Sequence, residues 1–524
     1  MSFSVMRLAF CFLFSTLILS DYSVYCKVNQ QDTQSKKKIQ TDVVIVGAGY
    51  AGLTVARKLS QMNFTVHVLE ARNATGGRTK NFCLKNMKPD IESDYVVELG
   101  GQWLANKTVQ PHSWELIVEE LGFKLFDASY TPSDSRSSVV YVSNGQYNFT
   151  TLIDAFHKLP QDVQAELAKA WALLDSMAAK IDLVSPYLSP EARKWDSQTF
   201  TSWINNTVQL EESRNALQIL STSIIAQSAD VVSFLHMLFY IRASKGMTNL
   251  VASEQQYRVV GGTQAPTFKM AQELGSDHVL LSTPVRRITQ NSNDGCAIGS
   301  VVVEASEGEV VVEARYAVVT GAPSVSGKGI RFIPPLPFEK SQLFQQMPMG
   351  NSVKGTLVYP TPFWRKNGFT GTLFASTPFF GDPKNILLSN CFDNTPYAGT
   401  PGVLFCFLEG ATSLQMMRLT HEERVEVLGN WFAKTFGPEA NDPLMLLDYN
   451  WEAQPFIGGA YSSYLPPGAW TQHGHALRKP FQQIYWAGAE YAQDGFGYIN
   501  GAIQSGKFTA NQIAEQYRQC MKQK

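Results

Sequence analysis

Hydrophobic and polar positions change period several times along the chain. Leu8–Leu19 is an apolar run broken only by Ser15 and Thr16 and preceded by Arg7. It is short for a bilayer span and has the form of the apolar core of a secretory signal peptide. A cut is expected near Lys27, after Val24 and Cys26, with Ser20 as the alternative, so residues 1–26 read as a leader. Residues 27–40 are polar and Lys-rich, a solvated lead-in. Asp42–Val46 then forms a β-branched run, the pattern of a strand buried on both faces. Beyond Gly47–Gly52, Leu53, Ala56 and Leu59 share one helical face, and Thr65–Leu69 reads as a second strand. The unit is strand–turn–helix–strand.

From about Thr151 to Ile241 the pattern is mainly helical, and Gln161–Ala179 contains neither Gly nor Pro. Strand-like runs follow at Val301–Val312 and Lys354–Val358, and a Gly- and Pro-rich stretch surrounds Thr370–Gly402. Ile484–Gly488 reads as a strand. After it, Ile499, Ile503, Gly506, Ala510 and Ile513 recur at steps of four and three, the stripe of a packed helix.

Composition narrows the class. The 524 residues are long enough for two domains and a large core; 44% are hydrophobic and 17% charged, ordinary for a globular protein. A net charge of -1 without a basic run argues against nucleic acid as a partner. No later stretch suits a membrane span, and the tail from Gln512 is polar. Of seven cysteines, Cys83, Cys296, Cys391, Cys406 and Cys520 lie beyond the leader, with no disulfide framework or metal-type spacing. Cys391 and Cys406 either pair across adjacent strands or stay buried as thiols. The eight histidines show no HExxH pattern, so no metal is expected. N-x-S/T sequons at Asn63, Asn73, Asn106, Asn148 and Asn205 accord with secretion, with Asn73 expected to stay unmodified.

Gly47, Gly49 and Gly52 allow a tight turn, close approach of a pyrophosphate, and close helix–strand packing. Glu70, ending the second strand, can accept hydrogen bonds from ribose hydroxyls and disfavours a 2′-phosphate, leaving NAD or FAD. Gly76-Gly77-Arg78 and Glu98-Leu-Gly100-Gly101-Gln102-Trp103 extend this anion-binding surface; ordinary loops are the alternative reading.

These motifs, VGAGYAGL, LEARNATGGR and ELGGQW, together with YWAGAEYAQDGFGYINGAIQSG, resemble those of the flavin-containing amine oxidases. The resemblance runs from about Thr41 to Tyr517. It is most specific toward the monoamine oxidases through Phe332–Pro337, Met347–Lys354, Gly458–Tyr461 and Tyr464–Gly468. It implies an α/β fold with a discontinuous, Rossmann-like FAD domain (40–122, 258–335 and 452–518). A substrate domain of mixed sheet and helices (123–257 and 336–451) completes it.

By the same resemblance, Gly47, Gly49, Ala51, Gly52, Glu70, Ala71, Arg72, Gly77 and Arg78 hold the ADP half and pyrophosphate of FAD, and Val285 meets the adenine. Gly100, Gly101, Gln102, Trp103, Trp451, Gly488, Glu490, Gly497, Tyr498 and Ile499 complete the cofactor set. Lys354 corresponds to a lysine linked through water to flavin N5. Tyr461 and Tyr498 match an aromatic cage whose ring faces favour an amine nitrogen, and Gln255 matches a cavity glutamine. Ala460 stands where many monoamine oxidases carry the cysteine that bonds flavin, so noncovalent FAD is expected.

The expected reaction oxidises a small primary or biogenic amine with O2 to an imine and hydrogen peroxide, and water hydrolyses the imine to aldehyde and ammonia. Polyamine oxidation needs acids along the entrance. L-amino-acid oxidation needs an arginine for the substrate carboxylate, Arg242 or Arg258 being the candidates. A secreted FAD-binding protein without turnover is a reading from another class, and a homodimer is left open. A nicotinamide dehydrogenase is disfavoured by the motifs at Gly77, Lys354 and Tyr498.

Overall fold

The first strand, β1 (Lys37–Val46), turns at Gly47–Gly49 into helix α1 (Tyr50–Gln61), which returns through β2 (Val66–Leu69). In this computed structural model the described residues are 37–84, 95–128, 136–142, 145–253, 255–291, 297–376 and 386–522. The expected leader lies outside them. β1 and β2 are parallel, in register from Val43 on Val66 to Val46 on Leu69. β1 begins five residues earlier than the expected Asp42 because Ile39 points inward between exposed Lys38 and Gln40, so period two already governs the end of the polar lead-in.

Around this unit an eight-stranded sheet is ordered Val279–Leu280, β2, β1, Val310–Val319, Val301–Ala305, Val285–Gln290, Arg331–Ile333, with Ile484–Trp486 also paired to Val310–Val319. The run expected as one strand over Val301–Val312 is instead a hairpin. Ser306, Glu307 and Gly308 turn it with φ of 48°, 57° and 92°, and Val301–Ala305 pairs antiparallel with Val310–Ala314. The polar turn residues outweigh the β-branched arms on either side. The C-terminal helix Ile499–Lys522 packs on α1 with Ile503, Gly506, Ala510 and Ile513 buried. A Cβ on Gly506 would sit 2.8 Å from the Ala51 carbonyl, so the stripe includes glycine for space.

A second, seven-stranded sheet is ordered Met445–Asn450, Ser352–Tyr359, Gly402–Glu409, Asn390–Asp393, Phe369–Ala375, Ser137–Val142, Gly145–Phe149. Every residue of Ser352–Tyr359 is buried. Helices Gln161–Ala178, Glu211–Ile225 and Phe234–Ala243 form a further layer, the last buried over nearly all its surface. Lys38–Lys524 makes one compact unit.

Cys391 and Cys406, register partners on adjacent strands, form a disulfide, and Cys520 is disulfide-bonded as well, whereas Cys83 is free. The expectation of a chain without disulfides beyond an optional Cys391–Cys406 pair is thereby corrected; strand register and tertiary packing, both nonlocal, decide the pairing. Among the described residues no helix is long and apolar enough to cross a membrane, and no His/Cys/Asp/Glu group could hold a metal.

Candidate active site

One cavity of about 650 Å³ is lined by both the glycine turn and the expected tyrosines. At the first end, Gly49 is the N-cap of α1 and offers no capping side chain, so the first-turn amides face the cavity's glycine wall without a local partner. Gly47, Gly49 and Ala51 line the cavity. Gly52 lies beneath it: a Cβ there would stand 2.0 Å from the Gly47 carbonyl oxygen, so its role is close helix–strand packing. Glu70, buried at the end of β2, accepts from the amides of Ala48 (2.7 Å) and Arg72 (2.9 Å) and still presents its carboxylate to the cavity. Arg72 does not reach the cavity; it donates to the Gly77 carbonyl at 2.8 Å and so braces the second glycine turn. Ala71, Gly77, Arg78 and Val285 do line it.

Arg78 is the joint between the two ends. Its guanidinium makes two bonds to the fully buried Glu490 (2.5 and 2.8 Å) and one to the backbone oxygen of Tyr461 (2.7 Å). Burial alone would depress Arg78, but Glu490 overrides it and raises its pKa. Glu490 also accepts from the Ser463 amide at 3.2 Å and does not itself line the cavity. It acts by holding Arg78.

Lys354 sits on the fully buried strand opposite Phe407. Its Nζ donates to the carbonyls of Glu98 (2.8 Å) and Gly100 (3.3 Å) and to Gln102 Oε1, and lies 4.0 Å from the Phe405 ring centroid. Burial pushes the amine well below the usual lysine range; Glu98 pulls it back up, and Arg258 pushes it down again. Glu98 and Arg258 form a buried ion pair at 2.9 Å. Gly100, Gly101, Gln102 and Trp103 line the cavity beside Lys354. A Cβ on Gly101 would meet nothing within 4 Å, and Gln102 Nε2 is buried without a partner. An open backbone cradle and an orphaned donor on the wall are what an extended cofactor with ring carbonyls and phosphates requires.

Tyr461 and Tyr498 line the same cavity, as do Gly497, Ile499, Trp451 and Ala460, whereas Gly488 lines it beside Thr320 at the glycine turn. Tyr461 meets the edge of Phe407 (5.3 Å, 79°) and donates its hydroxyl to Glu409. Tyr498 lies 6.0 Å from Tyr240, which also lines the cavity. Gln255 lies on the same wall. The chamber beyond is apolar, with Phe156, Leu159, Leu220, Ile224, Phe374 and Phe392 among its lining residues.

Of the cofactor, lysine, cage and glutamine residues that the resemblance singled out, all but Gly52, Arg72 and Glu490 line this cavity, and those three brace residues that do; Arg242 and Arg258 do not line it. Sequence reasoning missed Tyr240, Asn390 and Phe407 on the wall and Glu409 behind it; they belong to no local motif. Thr320, also missed, donates to the Val46 carbonyl at 2.8 Å and closes the glycine turn.

A parallel strand–helix–strand cradle feeding an aromatic-walled chamber defines a dinucleotide-dependent redox protein. A family profile described as flavin containing amine oxidoreductase matches residues 50–514. The chain is 31% identical over 478 residues to a Mycobacterium tuberculosis protein named as a flavin-containing monoamine oxidase, covering 90% of this chain and 96% of that one. To flavin-containing amine oxidase B of Cavia porcellus it is 30% identical over 480 residues, covering 90% and 86%. Its fold is similar to that of putrescine oxidase bound to putrescine, with a TM-score of 0.81 and 28% identity over 91% of this chain and 100% of that one. The chain belongs to the flavin-containing amine oxidoreductase family, and FAD is the cofactor that its cradle is built to take.

Proposed function

We propose that this protein is a secreted oxidase of primary monoamines that holds FAD without a covalent bond. The products are an aldehyde, ammonia and hydrogen peroxide. The observation that carries this is the chemistry of the chamber wall: among the described residues lining the cavity, the only carboxylate is Glu70, at the cradle end. A diamine such as putrescine brings a second ammonium, which is costly to bury without a counter-charge. An amino acid brings a carboxylate, and the only arginine among the described lining residues, Arg78, is already paired with Glu490. Arg258 is locked to Glu98 and to the Thr395 carbonyl, and Arg242 is exposed on its helix. An amine with one nitrogen and an apolar body suits these surfaces.

The chemistry that FAD supplies when bound is acceptance of two electrons from the amine Cα–H and their delivery to O2. The chain's own residues do the rest. Tyr461 and Tyr498 narrow the approach of the amine, and the apolar chamber excludes water from it. Lys354, its amine biased toward neutrality, is placed to hold a proton at Nζ when negative charge develops beside Gln102. With Lys354, Tyr461 and Tyr498 on one cavity, turnover is favoured over a purely binding role.

Noncovalent attachment is supported by Ala460 and by the absence of cysteine and histidine among the described lining residues. Secretion is supported by the disulfide chemistry of Cys391, Cys406 and Cys520 and by the exposure of the sequon residues Asn63, Asn148 and Asn205. The test is peroxide release by the purified protein across phenethylamine, spermidine and an L-amino acid, with acid denaturation to free the flavin. Phenethylamine should be turned over and the flavin should appear in the supernatant. Peroxide from spermidine alone would overturn the substrate assignment, and flavin retained on the precipitate would overturn noncovalent binding.

A further inference from the structure

The cavity wall touches an acid that it does not contain. Glu409 ends the strand Gly402–Glu409, is 3% exposed, and is absent from the cavity lining. Its Oε1 accepts the hydroxyl of Tyr461. Tyr461 is thereby held at three points: its backbone oxygen by Arg78 (2.7 Å), its ring by the edge of Phe407 (5.3 Å), and its hydroxyl by Glu409. The first two leave the hydroxyl end of the ring free to swing toward the open chamber. The third does not.

We infer that Glu409 is the positioning residue of Tyr461, fixing the orientation of the ring that the substrate nitrogen meets, so that an acid outside the cavity sets amine affinity. The inference rests on the amine-oxidase reading of the chamber. Burial pushes the Glu409 carboxyl up to about 8, against the downward pull of Tyr461 and Asn390. Burial thus biases the group toward its neutral form, in which the oxygen that meets Tyr461 accepts as a carbonyl and supplies geometry in place of a second charge. That distinguishes it from a carboxylate recruited for a substrate ammonium. Asn390 continues the polar contact to Ser223 at 2.5 Å, and both of those residues line the cavity. The other titratable groups felt by Tyr461 are Tyr240 and Tyr498.

The test uses the FAD-loaded full protein and α,α-dimethylphenethylamine, which has no α-hydrogen to lose and so binds without turnover. Its Kd is read from the perturbation of the flavin spectrum. Glu409→Leu should weaken binding about tenfold, the loss of one hydrogen bond. Glu409→Gln, which keeps an acceptor oxygen, should stay within about twofold of the parent. Tyr461→Phe should lose as much as Glu409→Leu, and the double variant no more than Tyr461→Phe alone, because both single changes remove the same bond. With phenethylamine the loss should fall mainly on KM. Parent-like Kd in Glu409→Leu, or losses that multiply in the double variant, overturns the inference. If Glu409→Leu does not fold, parent-like affinity in Tyr461→Phe overturns it equally. Intact binding effects in a protein that oxidises no amine would defeat the functional reading and leave this one standing.

Discussion

Lys354 and Phe407 are register partners on neighbouring strands, and the Lys354 Nζ lies 5.6 Å from the Phe407 ring centroid while Phe407 in turn meets Tyr461 edge-on at 5.3 Å. One pair of strands thus carries both the buried amine and the aromatic support of the cage. The amine is held on Glu98, Gly100 and Gln102, at the join between cradle and chamber. Replacing Lys354 by Met preserves the volume of the stem and removes the proton-holding group. Amine-driven flavin reduction should remain within a few-fold of the parent, whereas reoxidation by O2 should fall on the order of tenfold or more. Stopped-flow absorbance of the two half-reactions separates them, and parent-like reoxidation would remove the assigned role.

The Arg78–Glu490 pair makes a different prediction. Glu490 is fully buried, and its loss leaves the Arg78 charge uncompensated. Breaking a buried pair costs about 3 kcal/mol or more, reduced here to about 2 because the Arg78 side chain is 25% exposed. Glu490→Gln should therefore lower the urea midpoint of the protein. It should also weaken FAD retention and amine binding together, since Arg78 holds the Tyr461 backbone. Loss of stability with unchanged Kd for both ligands would show that the pair only braces the fold.

Much of the cradle was legible because its signals are local. β1, Gly47–Gly52, α1 and β2 announce themselves by period and by the φ-permissive or space-requiring residues between them. Tyr461 and Tyr498 could be picked out only through the family resemblance. Their chemistry depends on bringing the 458–464 segment against the seven-stranded sheet, and no periodicity encodes that. Glu409 was illegible for the same reason: a lone acid at a strand end gives no sign that a cage phenol covers it. The hairpin within Val301–Val319 was missed because its arms are β-branched on both sides of a short polar turn. The Cys391–Cys406 bond stayed open because strand register is a nonlocal fact.

Two glycines of the cradle should respond oppositely to the same methyl. At Gly52 a Cβ would stand 2.0 Å from the Gly47 carbonyl oxygen, whereas at Gly101 it would meet nothing within 4 Å. Gly52→Ala should therefore destabilise the apo-protein by about 2 kcal/mol, as overpacking does. Gly101→Ala should leave apo stability within about 0.5 kcal/mol and instead weaken FAD binding, because its methyl enters the cavity. Urea melts of the apo-proteins and flavin titrations check both arms. Equal effects of the two substitutions on apo stability would contradict the packing argument.

Glu409 should also leave its mark on stability against pH. Its folded value of about 8 lies above the ordinary 4.5, so the unfolded chain releases this proton first as pH rises. Below the unfolded value both states hold the proton and the contribution of the group is fully present; through the interval up to about 8 it is progressively lost. Glu409→Gln cannot ionise and should be spared that loss. Its urea midpoint relative to the parent should therefore rise between about pH 5 and about pH 8.5 and then level off. Midpoint differences measured across that range give the sign directly. A difference that stays flat, or that falls with pH, would mean that the carboxyl is ionised in the folded protein at neutral pH. It would then meet Tyr461 as a charged acceptor.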